Sequence, residues 1–149
     1  MADLEGDGWY AHAIYVDRSD PVQTVKSYIK TWAEANPDTH QAVFLFGRVP
    51  VPYSGDIAPD GHHSDHKGAW PSDGYYAVPD GAWTDVTINN TTAASSRNDN
   101  RPGDGKFDNS KFPALSVLQV GRVDFSNMDK FPESEEHLLR RYLDKDHAW

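Results

Sequence analysis

The sequence predicts an α/β fold: a small parallel-sheet sandwich made of a βαβ unit plus a further strand–helix pair, with a long loop-rich excursion between them. Three observations carry this. Apolar runs at 11–17 and 41–47 flank an amphipathic stretch, and a third apolar run at 114–121 is followed by a second amphipathic stretch. Between them, residues 53–112 hold most of the Gly and Asn, half of the Asp and a cluster of three His, and show no sustained periodicity.

Residues 11–17, Ala-His-Ala-Ile-Tyr-Val-Asp, read as a buried strand bounded by turn formers. A helix start follows, with Asp20 as N-cap, Pro21 at the first helical position and Gln23 at capping-box spacing. Val22, Val25, Ile29 and Trp32 recur at helical steps and form one apolar stripe, which Asn36-Pro37-Asp38 ends. Residues 41–47 are apolar on consecutive positions, as expected of a central parallel strand covered on both faces. The strand–helix–strand order makes a βαβ unit with a right-handed crossover.

A structureless stretch of sixty residues is foreign to a compact domain, so 53–112 is expected to hold short strands near Tyr75-Tyr76 and Trp83–Val86. The run from Ala114 to Gly121 reads as a strand. The stretch from Phe131 to Asp146 reads as a helix with Leu138, Leu139, Tyr142 and Leu143 inward. Its acidic start and basic later turns complement the helix dipole. Three strands and two helices make a thin sandwich, so residues 1–149 read as a single α/β domain or as part of a larger unit.

Composition narrows the function classes. The chain has 149 residues, enough for one core, and its 38% hydrophobic and 12% aromatic content excludes a disordered chain. A net charge of −9 opposes sequence-independent binding to nucleic acid or to anionic membranes and suits cation binding. No apolar run approaches the roughly 18 residues of a membrane span. The absence of Cys excludes disulfides, thiolate metal sites and cysteine nucleophiles within these residues. The acidic start, Met1 to Asp7, lacks the apolar core of a signal peptide, as in a cytoplasmic protein or a mature or internal segment.

Several segments together resemble the gingipain-like (C25) cysteine peptidases. Ala42 to Ser54, AVFLFGRVPVPYS, is similar to that family's strand and following turn. Val117 to Asp124, VLQVGRVD, with the helix through Asp144, is similar to a later strand and helix. Ser72-Asp-Gly-Tyr-Tyr76 and Asp80-Gly-Ala-Trp83 match the stretch between. The order holds across about residues 10–145. The resemblance implies a caspase-like α/β sandwich and a secreted protein. The family's catalytic His and Cys lie downstream of these segments, so it implies the non-catalytic leading half of such a module or a relative that lost the chemistry. The partner it implies is the rest of a larger polypeptide or a second copy.

Four constellations carry candidate chemistry. Asn98, Asn100, Asp104 and Asp108, with Gly103 and Gly105 between them, offer the oxygen ligands and curled backbone that Ca²⁺ takes, though not at EF-hand spacing. An Asx-rich turn needing no ion is the alternative. His62, His63, Asp65 and His66 offer imidazole and carboxylate donors for Zn²⁺, while a hydrogen-bonded His loop explains the same residues and is favoured. The strand ends bring Asp17, Arg48 and Arg122 toward one edge, to bind an anion or, as favoured, to pair structurally with Asp17 and Asp124. Trp70, Tyr75, Tyr76 and Trp83 read as a mini-core before a sugar platform, for which Asp73 and Asp85 would be the acid and base.

The leading functional expectation is an accessory segment of a gingipain-like module, held by a cation in 98–108 and not proteolytic alone. The competitors are a small metal-dependent hydrolase built on His62–His66 with a metal-bound water as nucleophile, and a carbohydrate-binding module.

Overall fold

The computed structural model describes residues 1–61 and 63–147. The architecture is mixed α/β and loop-rich. In chain order it comprises α1 (Ala2–Gly6), α2 (Val22–Glu34), β1 (Ala42–Phe46), β2 (Tyr53–Ile57), β3 (Gly68–Pro71), α3 (Gly74–Ala77), β4 (Gln119–Val123) and α4 (Glu135–His147). Strands β1 and β4 pair in parallel, Ala42 opposite Gln119 through Phe46 opposite Val123. Strands β2 and β3 form an antiparallel pair with an irregularity between Ser54 and Ile57.

Helix α2 forms where its stripe places it, with Val25 and Ile29 buried. Its cap differs from expectation. Pro21 is the N-cap, and the Asp20 carboxylate instead accepts the Asp17 N–H, closing the turn before the helix. At the other end the Asn36 and Gln41 amides donate to the Trp32 and Ala33 carbonyls, which the helix leaves unpaired.

The first expected strand, 11–17, does not form: the segment runs without turn or bend but makes no ladder. Strand β1 forms, yet only one of its faces is covered. Leu45 is buried and Val43 packs on the core, whereas Phe44 and Phe46 are 50% and 38% exposed. An unbroken apolar run marks a strand able to be covered twice; it does not supply the second cover.

Inside the excursion the strands are 53–57 and 68–71, not those expected. Tyr75 and Tyr76 lie in the helical turn α3, and Trp83–Val86 forms no strand. Gly74 lets this turn sit tight against its neighbour, since a Cβ there would come within 2.2 Å of the Phe112 ring. The last strand begins later than its apolar run, because the N–H groups of Val117 and Leu118 donate to the Ala77 carbonyl at the end of α3. Helix α4 also starts later, at Glu135, with the Ser134 hydroxyl accepting the His137 N–H as an N-cap would.

One core joins these parts: Val25 and Ile29 of α2, Leu45 of β1, Tyr75 and Tyr76 of α3, Phe107 and Leu118. The Tyr75 ring stacks on Phe107 at 4.4 Å, and Trp83 meets both edge-on. Aromatics in an aliphatic-poor excursion thus build the core, as the sequence favoured. Among the described residues, no helix is long and apolar enough to cross a membrane.

Lys26 enters this core without a carboxylate. Its ammonium sits 4.0 Å from the Tyr75 ring centroid and 5.3 Å from that of Trp83, a cation–π cage. Burial, then the charge of Lys30, lowers its pKa to about 8 against the pull of Asp80. The folded chain therefore binds fewer protons than the unfolded chain between about pH 8 and the ordinary 10.5, so stability rises with pH across that window. Lys26→Met is expected to gain on the order of 1–3 kcal/mol at neutral pH and to lose that rise, as checked by urea melts on both proteins.

Candidate functional site

The best-connected polar group lies where β4 meets the turn after β1. Arg122, on β4, directs Nε and Nη2 to the two oxygens of Asp73, both at 2.8 Å. Its Nη1 donates to the Val49 carbonyl at 2.6 Å and Nη2 to that of Pro50 at 3.2 Å. The Tyr76 hydroxyl donates to the same Pro50 carbonyl at 2.7 Å. Burial of Tyr76, the largest influence, raises its pKa and keeps the hydroxyl a donor. Arg122 and Asp73 are both mostly buried, a setting in which a bidentate pair holds its geometry.

This junction ties together three passages distant in sequence: Val49–Pro50, Asp73–Tyr76 and Arg122. The strand-end arginines are thus structural, as favoured, but with other partners. Arg48 pairs with Glu135, and Arg122 with Asp73. Asp17 is occupied by the N–H and hydroxyl of Ser19, and Asp124 by the Ser126 N–H. Arg122 and Asp73 are 49 residues apart, a separation at which spacing carries no signal.

The residues offered as calcium ligands are turned to other partners. Asn98 donates its amide to the Ala69 carbonyl, and Asn100 donates to those of Gly55 and Phe107. The Asp104 carboxylate accepts the N–H groups of Arg101 and Lys106 and pairs with the Lys106 ammonium. Asp108 accepts the N–H groups of Val86, Thr87 and Ile88. Its burial works to raise its pKa, but those N–H groups and the Thr84 hydroxyl outweigh it and bring the value down to about 2. Asp85, similarly, accepts from Gly103 and Gly105 at 2.8 Å each.

These side chains do not fit a calcium cage. The oxygens of each carboxylate are spread over local N–H donors, whereas Ca²⁺ takes six to eight oxygens converging on one point. Among the described residues, no three His, Asp or Glu side chains gather as a metal would require. The Asn100 Oδ1 is fully buried and has no hydrogen-bond partner.

Of the second cluster, His62 lies outside the described residues. His63 and His66 pack ring to ring at 4.9 Å, and His66 Nδ1 pairs with Asp60. Asp65 serves the fold through its carbonyl, which accepts the Ala94 N–H. Of the aromatic group, Tyr75 and Tyr76 are buried and offer no face to a ligand. Trp70 and Trp83 line an open groove of about 460 Å³ with Ile57, Pro71, Lys111 and Phe112. Asp73 is held by Arg122 and Asp85 by its glycine N–H groups, which removes the proposed acid–base pair from solvent chemistry.

Against models of known families, curated proteins and solved structures, the chain finds no match.

Two outcomes follow from this geometry. Arg122→Lys keeps the charge but cannot span Asp73 and both carbonyls, and is expected to cost about 2–3 kcal/mol in denaturant melts. Asp108 holds fewer protons folded than unfolded between about pH 2 and the ordinary 3.8, so its stabilisation is lost as pH falls through that window. Asp108→Ala is expected to cost roughly 1–3 kcal/mol at neutral pH and to flatten the acid limb of the stability curve.

Proposed function

We propose that this chain is the scaffold half of a larger α/β module of the gingipain-like, caspase-like kind, and that it performs no proteolysis by itself. The observation that carries the reading is the state of the β1–β4 sheet. A parallel sheet is ordinarily buried on both faces. Here the core covers the face of Val43 and Leu45, while Phe44 and Phe46 stand 5.7 Å apart on the other, largely open to water. Each strand also keeps one unpaired edge.

The resemblance supplies what completes such a sheet: further strands and helices carrying the reactive groups. Three of its motif passages meet at Arg122, which supports treating those three as one structural unit. The scaffold holds its excursion with carboxylate-to-backbone hydrogen bonds, and a cation is left out of the proposal for that reason. A fold-level likeness carries the peptidase context as analogy only, so the activity of the completed module is set by residues outside this chain.

The test uses the purified chain. It is expected to leave casein and short peptide substrates intact and to bind a hydrophobic dye such as ANS. The double variant Phe44→Ser/Phe46→Ser is expected to lose most dye fluorescence while still melting cooperatively, since both rings are at least partly exposed and neither belongs to the core cluster. Hydrolysis by the homogeneous chain, or dye binding indifferent to the double variant, would overturn the reading.

A further inference from the structure

The segment before α2 is apolar, runs straight and makes no backbone bonds. From residue 9 to 17 the chain has no turn, bend or helix. Among the described residues, the backbone groups of residues 10–16 enter no hydrogen bond. Ile14 is 41% exposed and Tyr15 93%, both residue types that favour strands. Val16, by contrast, already packs against the core cluster, and the turn at Asp17–Asp20 fixes the segment's far end against α2.

Topology says where such a segment would go. Helix α2 connects it to β1, and the excursion carrying α3 connects β1 to β4. Both connections lie over the same face, because Val25 and Ile29 of α2 share one cluster with Tyr75 and Tyr76 of α3. Crossovers between parallel strands are right-handed. Two right-handed crossovers over one face step across the sheet in the same direction. With β4 on one side of β1, the segment falls on the other, where the edge of β1 is unpaired.

We propose that residues 11–16 dock along the free edge of β1 as a third parallel strand, giving the order 11–16, β1, β4. Val16 and Ile14 then share a face and turn to the core beneath α2. Tyr15 turns to the opposite face and joins Phe44 and Phe46. The dock also assigns the remaining edge: a further strand from outside the chain can add only beside β4. This inference goes beyond the scaffold reading and does not depend on it, because the dock forms within the isolated chain whether or not other polypeptide joins.

Amide hydrogen exchange on the full 149-residue chain tests it, read residue by residue and repeated after dilution. The expected result is alternating protection between His12 and Val16, about 100-fold or more over coil and independent of concentration. Ile14→Asp is expected to lower the melting temperature by several degrees and abolish that protection, whereas Tyr15→Ser leaves both in place. Coil-rate exchange throughout 12–16 would sink the proposal, as would an Ile14→Asp variant as stable as the parent. Protection that fades on dilution would also overturn it, by assigning the strand to a second copy.

Discussion

The fold depends on one guanidinium. Parallel strands cannot be joined by a tight turn, so β1 and β4 are separated by a long excursion whose path a two-stranded ladder cannot fix. Arg122 fixes it by binding both sides at once. It holds the Val49 and Pro50 carbonyls, just beyond β1, and the Asp73 carboxylate at the head of α3. The prolines of the Pro50-Val51-Pro52 turn contribute by what they lack. With no N–H at either position, the turn presents carbonyls to Arg122 and to the Tyr76 hydroxyl with few competing donors of its own. Once α3 is placed, Tyr75 and Tyr76 are delivered to the core, and the stack onto Phe107 brings the far end of the excursion with them.

The excursion is then organised by the inverse of ion capture. Asp and Asn oxygens arranged around a curling, glycine-containing backbone can surround a cation, or they can accept the N–H groups which that backbone exposes. Both use the same residue types at similar spacing. Here Asp85, Asp104 and Asp108 each accept from two or more nearby N–H groups, and every such bond satisfies a donor that has no ladder partner. The carboxylates that the sequence marks as a cage are therefore the excursion's substitute for secondary structure. That also explains how so many residues stay ordered with only two short strands and three single helical turns of their own among the described residues.

The parts legible in the sequence are those governed by local period. The stripe of α2, the strand character of 42–46 and the existence of α4 follow from spacing, and the aromatic mini-core follows from the scarcity of aliphatics around it. Of the apolar stripe expected on α4 only Leu138 is buried, while Tyr142 and Leu143 are 38% and 44% exposed. What spacing could not show falls into two kinds. The first is partner choice at a distance: Asp73 for Arg122, Glu135 for Arg48, and the aromatic cage for Lys26. The second is the difference between a residue able to be buried and one that is. Phe44 and Phe46 read like Leu45 in sequence, but they are 50% and 38% exposed while Leu45 is buried. Tyr75 and Tyr76 favour strands by type, yet they lie in a helical turn where both are buried in the core.

Neither open edge of the sheet carries the usual guards among the described residues. Folded proteins blunt exposed strand edges with Pro, Lys, an inward charge or a bulge, since an unguarded edge recruits other chains. Strand β4, Gln119-Val-Gly-Arg-Val123, carries no Pro or Lys and pairs without irregularity along its length, and its one charge is turned into the Arg122 junction. Gly121 even removes the side chain at the strand's centre. On the scaffold reading, such an edge is one to which a further strand can add. With the neighbouring Phe44–Phe46 face also uncovered, the sheet presents backbone donors and an apolar surface to the same incoming segment. That combination separates an unfinished sheet from an ordinary exposed one: hydrogen bonds would set the strand's direction and register, and the aromatic face would provide the burial that makes its addition favourable.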